Sequence, residues 1–586
     1  MVADWAIFAN AKTLLSAFMA LLGLASGKKS SLVAFMVAGP SPQTSRNRRR
    51  LHVEGLEQRQ LMAADFPEFV DPRASFSGNQ FGHTVVALNG GNVVITSPFD
   101  DAGGANAGAV YLFNGKTGAL ISTLTGSKAN DNVGIGGVTA LSNGNYVVMS
   151  PSWDNGAVVD AGAVTFGSGT TGVIGAISAA NSLVGSTNGD MSTAAVTVLK
   201  NGENGGYVVR SPLWNNGPVV DAGAVTFGGL TGVSGAISAS NSLVGSTTGD
   251  MSTAVVTALT KGNYVVRSPL WNNETVVDAG AVTFGGLTGV SGVISASNSL
   301  VGTTSGDMSS GSVTALSTGN YVVMSPLWDN GTGGNAGAVT FGGGKIGVKE
   351  AISVTNSLVG SAGESVGSNG VTALTNGNYV FGSQSWGGSR GAATFVDVTK
   401  STSTVGVVSS ANSLVGTNGF DFVGNRAQAL ENGNYVIISA NWATQRGAVT
   451  FGDGTNGTFG VVSGANSLVG STVNDRVGNG GVKALSNGNY VVMTPEWDNG
   501  AARDAGAATF GSSSTNGVKG AISDTNSLVG ESLESLDEDG CLDRHVERPG
   551  DAGSFERLTC GELVSDGHEA RHLGFGDAHF LVAPGC

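Results

Sequence analysis

The chain has no cysteine before residue 541, so the fold of residues 1–540 does without disulfides and thiolate metal ligands. Charge is scarce as well: Asp, Glu, Lys and Arg make up 12% of the 586 residues, against roughly 25% in an ordinary globular chain. What charge remains is acidic, net −14, and no basic stripe interrupts the repeats. That balance excludes a partner held by its phosphate backbone, which needs clustered Lys and Arg. Only six histidines occur, and four of them lie beyond residue 540. Imidazole chemistry therefore has almost nothing to work with in the body of the chain, where His83 stands alone.

Glycine is what the chain has in excess, 94 residues, and it marks short strands joined by tight turns. Aromatic residues recur on a fixed beat. Trp153, Trp214, Trp271, Trp328, Trp386, Trp442 and Trp497 are spaced 55 to 61 residues apart. Tyr146, Tyr207, Tyr264, Tyr321, Tyr379, Tyr435 and Tyr490 each open a Tyr-Val segment after a glycine turn, and Asn-Ser-Leu-Val-Gly returns seven times from Asn181 to Asn526. An earlier, diverged unit puts Phe99 at the tryptophan position. Eight units of about 57 residues follow from this, and self-similarity at that period defines a repeat protein.

The second unit reads as four strands: 137–141, Tyr146 to Met149, Ala163 to Phe166, and an apolar stretch near Val173 to Ile177. Asn143-Gly144 supplies the hairpin signal between the first two. The expected fold is all-β, a β-propeller of seven or eight four-stranded antiparallel blades, with a β-solenoid as the alternative. One blade alone cannot offset its conformational entropy, so blades must pack on each other, and the recurring Trp and Tyr are assigned to that packing rather than to a row of ligand platforms. Unit six departs most, with GSQSWGGSRGAATF at 382–395 shortening its loop and introducing Arg390; it reads as drift in loop length.

The first unit, FGHTVVALNGGNVVITSP at 81–98 followed by AGAVYLFNGKTGALISTLTG at 107–126, resembles the FG-GAP repeat of integrin alpha-subunit propellers. Phe81-Gly82 stands at the opening FG, Ser97-Pro98 at the GAP position, and later units keep the frame over about 79–530. The resemblance implies the propeller fold and an adhesive, extracellular setting. Many members of that family carry a calcium loop of alternating aspartates between the first two strands. Here the stretch reads SNGN at 142–145 and TNGN at 375–378, without the carboxylate oxygens Ca²⁺ prefers, so no cofactor is carried over. Aspartates recur elsewhere, at Asp160, Asp221, Asp278 and Asp504 and at Asp131, Asp190, Asp250, Asp307, Asp421 and Asp475. They read as ligands of turn backbone, with loop-bound Ca²⁺ as the alternative.

The two ends differ from the repeats assigned to 66–535. Residues 1–65 contain an apolar stretch from Thr13 to Ser26 suited to a signal peptide, then Arg46, Arg48, Arg49 and Arg50. The segment LHVEGLEQRQLMAAD at 51–65 resembles the LEPR-XLL leader of large bacterial surface proteins, with Gln58 in place of the proline, and the resemblance implies export and a secreted or cell-surface location. Met36 is a candidate start. Residues 536–586 break the rhythm and read as an unrelated or frameshifted tail. That tail holds His568-Glu569-Ala570-Arg571-His572, which matches the zinc motif H-E-x-x-H. Only 14 residues follow His572, too few to enclose a metal, so it is assigned to chance.

The sequence therefore points to a non-enzymatic exported protein with an adhesive or envelope-building role. Its expected partner is a protein or glycan at the cell surface, with no nucleic acid and no integral membrane domain. The alternative is a propeller enzyme or lectin acting on extracellular polysaccharide.

Overall fold

The computed structural model describes residues 68–73, 78–199, 206–331 and 333–530; the leader and the zinc-like string lie outside them. Eight small sheets follow one another along the chain, one per repeat. In repeat 2 the antiparallel order is Val138–Ala140, Tyr146–Ser150, Ala163–Gly167 and Ser182–Val184. The Asn-Gly turn closes through Leu141 N–H donating to Asn145 O at 2.8 Å, and Gly144 takes the left-handed φ of 83° that the hairpin requires.

The expected fourth strand near 173–177 is corrected. Gly175 and Ala176 form a two-residue strand that leaves its own sheet and pairs parallel with Leu124–Thr125 of the preceding one. The chain then reverses at Asn181, whose Oδ1 accepts from Ser178 N–H at 2.9 Å, and Ser182–Val184 returns to complete the home sheet. Burial explains the choice: Ser182, Leu183 and Val184 are all enclosed, whereas Gly175 and Ala176 are exposed. Seven of the eight sheets consequently have five strands, the fifth borrowed from the next repeat and parallel, and the last sheet has four. The blade expected to be purely antiparallel is thus a mixed sheet that ties each repeat to its predecessor.

Sheets 1 to 7 bury both faces, whereas the outer face of sheet 8, with Val491, Met493, Ala508 and Phe510 half-buried and Leu528 exposed, is only partly covered. Tyr146 and Val148 pack back on Val94, Val110, Leu112 and Leu124 of sheet 1, while Val147, Val164 and Leu183 pack forward on Tyr207, Val209 and Trp214 of sheet 3. Alternate residues of one Tyr-Val-Val run serve two neighbours, which is why these strands carry no polar face. The same arrangement joins every successive pair through to sheets 7 and 8. The other face of sheet 1 packs under Phe69 and Phe81, with Phe69 and Phe113 rings 5.5 Å apart.

In five of these seven layers the tyrosine of one repeat stacks on a phenylalanine of the previous repeat. Phe227 and Tyr264 lie 5.9 Å apart at 6°, and Phe284 and Tyr321 6.0 Å apart at 4°. Burial pushes the phenol pKa of all eight tyrosines upward, to about 12 for Tyr146 and Tyr490. Below the unfolded value near 10 both states hold the proton, so this stability is complete there. Above it the unfolded chain ionises first, and each such tyrosine costs up to ~1.4 kcal/mol per pH unit until its folded pKa is passed. A steep loss of far-UV circular dichroism between pH 10 and 12, coincident with tyrosinate absorbance, is expected; phenolate absorbance rising near pH 10 with the fold intact would refute it.

Candidate functional surface

The repeated aromatics are committed to the interior. Trp153, Trp214, Trp271, Trp328, Trp386 and Trp497 are buried, and Trp442 and Phe99 half-buried. Trp153 joins the core between sheets 1 and 2, and each later tryptophan joins the core that its repeat shares with the one before. The six buried rings present no face to a ligand.

The boundary aspartates are equally occupied. Asp190 is fully buried; its Oδ2 accepts from the backbone N–H of Ser186 and Thr187 at 2.7 and 2.8 Å. Its Oδ1 accepts from Thr187 Oγ1 at 2.5 Å and from Asn215 N–H at 3.2 Å, and Asn215 directly follows Trp214 of the next repeat. Asp131, Asp250, Asp307, Asp421 and Asp475 repeat this knot across successive boundaries. Glu364 substitutes once, taking Ser361 N–H and Gly387 N–H. Every contact is a donor, so these carboxylates are satisfied by amides and hydroxyls in the manner of an anion nest. Asp160, Asp221, Asp278 and Asp504 serve the backbone instead, holding φ near 50°, a conformation that Asp tolerates better than most residues. Among the described residues no group of three or more His, Cys, Asp or Glu side chains could hold a metal, and no helix is long and apolar enough to cross a membrane.

Among the tryptophan-bearing repeats, the loops that follow the tryptophan are uniform in length except at repeats 6 and 7. In repeats 2 to 5 and 8 the loop runs nine residues, as from Trp153 to Gly162, and closes with Gly162 N–H on Trp153 O at 2.9 Å. In repeat 1 the tryptophan place expected for Phe99 is held by Asp100, whose N–H donates to Ser97 O as Trp153 N–H does to Ser150 O, and Gly108 N–H closes on Asp100 O at 2.8 Å after eight. In repeats 6 and 7 the same bond, 3.0 Å in each, closes after five, from Trp386 to Gly391 and from Trp442 to Gly447. The shortened chain coils into a single left-handed turn, with φ of 60°, 73° and 66° at Gly387, Gly388 and Ser389. The second turn uses Ala443, Thr444 and Gln445 at 49°, 61° and 63°. The sequence pattern singles out repeat 6 alone; the signal overlooked in repeat 7 is the identical Trp-to-Gly interval in WATQRG.

Two side-chain exchanges accompany the shortening. Ser389 and Gln445 stand where Asp160, Asp221, Asp278 and Asp504 stand in longer loops, and Arg390 and Arg446 replace the fully buried Ala161, Ala222, Ala279 and Ala336. The Arg390 guanidinium lies 5.0 Å from the centre of the Trp386 ring and its Nε donates to Gly387 O at 2.9 Å. Arg446 is exposed. Between the two turns runs the loop of Phe420, which is 71% exposed; Phe420 N–H donates to Ser389 O at 2.9 Å, while Asp421 Oδ1 accepts from Ala443 N–H at 2.9 Å. Arg476 closes the far side, donating to Gln445 Oε1 at 2.9 Å and pairing with Glu496 at 3.5 Å.

No curated protein matches the chain. A crystal structure of a eukaryotic initiation factor aligns with 66% of this chain and 87% of its own, at 9% identity and a TM-score of 0.24, too low to place the two in one fold. Segments 87–135, 140–194, 201–254, 258–311, 315–368, 373–425, 429–479 and 484–536 each match one family model, and all but the last end just past a boundary aspartate or Glu364. The chain belongs to the family of that repeat of unknown function, DUF5650.

Proposed function

We propose that this is an exported, non-enzymatic repeat protein that serves as a surface scaffold for adhesion or envelope structure, its sheets set as the blades of an FG-GAP-like β-propeller. The observation that carries the functional reading is the commitment of recurring chemistry to the interior. Tryptophans, tyrosines and boundary carboxylates, the residues a repeated active site would use, are engaged in packing and in inter-repeat hydrogen bonds. The LEPR-like leader and the low charge support export and an extracellular setting.

The propeller reading draws on the first strands. Asn89 Nδ2 donates to Ser142 O at 3.2 Å and Thr375 Oγ1 to Glu431 O at 3.3 Å, so equivalent turns of successive repeats touch at that edge. At the opposite edge a borrowed fifth strand is interposed, the asymmetry a fan of blades needs. A solenoid-like open stack is favoured by one observation, the cover of Phe69 and Phe81 on sheet 1, which a closed ring would have to accommodate. Low-angle scattering separates a disc from a rod.

Fractionation of expressing cells, with N-terminal sequencing of the mature chain, tests the location. Recovery from the envelope or medium with the leader removed is expected; cytoplasmic retention with the leader intact would overturn the reading. Turnover of any polysaccharide in a hydrolase panel would overturn its non-enzymatic part.

A further inference from the structure

We infer that the shortened loops of repeats 6 and 7 form a binding site for an acidic polysaccharide, with Phe420 as the stacking surface and Arg390 and Arg446 as the carboxylate-pairing cations. The inference deepens the surface reading above and rests on it only for where the ligand would be met.

Backbone conformation supplies the first argument. Phe420 holds φ of 70° and Phe422 φ of 48°. The position of Phe420 is filled in other repeats by Asn130, Gly189, Gly249, Gly306, Gly363 and Asn474, residues that take the left-handed region readily. A bulky aromatic is disfavoured there, and at 71% exposure it recovers little through burial. Thr444, β-branched and at 61°, adds a second cost of the same kind. Local rules broken together in two adjacent repeats, with the Phe420 ring meeting Phe422 edge-on at 5.8 Å and otherwise left largely in solvent, point to a contact made outside the chain.

Charge supplies the second. In each of the two loops an aspartate is lost and an arginine gained, so the local sign reverses within a chain of net charge −14. Arg390 is held over the Trp386 ring, its Cζ 5.0 Å from the ring centre and its Nε bonded to Gly387 O, which limits the directions its guanidinium can take toward a carboxylate. The apolar ring of Phe420 suits the C–H face of a sugar, and the two arginines belong to successive repeats, so a ligand touching both must be a polymer rather than a monosaccharide. Arg476 is already paired with Glu496. The remaining cations are too few to hold a nucleic acid at physiological salt.

The test uses the full chain and fluorescently labelled polygalacturonate oligomers, with dextran and polyglutamate as neutral-sugar and acidic-peptide probes. Salt-sensitive binding of polygalacturonate is expected, weakened about tenfold or more by the double substitution Arg390→Ala, Arg446→Ala, and about tenfold by Phe420→Asn. Phe420→Asn restores a residue suited to the left-handed position, so its Tm should equal or exceed that of the wild type, which separates lost binding from lost folding. Val220→Ser, in a regular loop, should bind as the wild type does. Equal binding of dextran, equal binding of polyglutamate with indifference to Phe420→Asn, or no binding at all would each overturn the site. A failed site in a chain that is nonetheless exported leaves the surface reading standing, whereas a cytoplasmic chain that binds polygalacturonate defeats that reading and keeps the site.

Discussion

Asp250→Ala is expected to lower the stability of the array by ~3 kcal/mol and, if the sheets form an open stack, to split its unfolding into two transitions. The carboxylate is fully buried and accepts Ser246 N–H at 2.7 Å, Thr247 N–H at 2.8 Å, Thr247 Oγ1 at 2.5 Å and Asn272 N–H at 3.1 Å. Removing it strands donors on both sides of the boundary between repeats 3 and 4. In an open array, whose units contact chiefly their neighbours, a weakened interface stays local and repeats 1–3 should uncouple from repeats 4–8, whereas a closed ring would keep them joined through sheets 8 and 1 and unfold in one displaced transition. Asp250→Glu should recover part of the loss, because Glu364 holds the equivalent boundary between repeats 5 and 6. Urea unfolding followed by tryptophan fluorescence reads both outcomes. A single transition displaced by less than 1 kcal/mol, on the scale of an ordinary surface change, would show that the knot is dispensable.

Much of this fold was legible in the sequence, and the part that was not has a physical cause. The repeat length, the Asn-Gly hairpin and the strands at Tyr146 and Ala163 follow from periodicity and turn chemistry, which act over a few residues. The exchange of Gly175–Ala176 into the preceding sheet is invisible to such rules, because the pairing partner, Leu124, lies 51 residues away. Asn-Ser-Leu-Val looks like a polar boundary until the serine finds its partner: Ser182 Oγ and Thr165 Oγ1 lie 2.7 Å apart in the interior, a pair repeated in every later sheet. Of the surface at repeats 6 and 7, only Arg390 and its short loop stood out in sequence. Phe420 did not, since a phenylalanine in a glycine-rich loop is unusual only once its φ is known.

Gly285→Ala is expected to cost at least ~3 kcal/mol, out of proportion to one added methyl group. The third strand ends in glycine at Gly167, Gly228, Gly285, Gly342, Gly452 and Gly511, and in each a tyrosine ring of the second strand lies across the bare backbone. A Cβ at Gly285 would overlap Cζ of Tyr264. The ring cannot slide aside, because it is stacked on Phe227 and enclosed by sheets 3 and 4. The chain contains its own comparison: repeat 6 has Val396 at this position, and there Tyr379 makes a tilted contact with Phe381, at 33°, instead of a parallel stack on the preceding repeat. Gly286→Ala serves as the control, since its Cβ would approach nothing closer than the edge of Phe284 at 3.9 Å. It should be neutral or slightly stabilising through the unfolded chain. Tyr264→Ala combined with Gly285→Ala should be far less damaging than the two single losses added together, because the added methyl then meets an empty space. Additive losses in that double-mutant cycle, read from urea midpoints, would mean that the glycine is required for something other than the tyrosine above it.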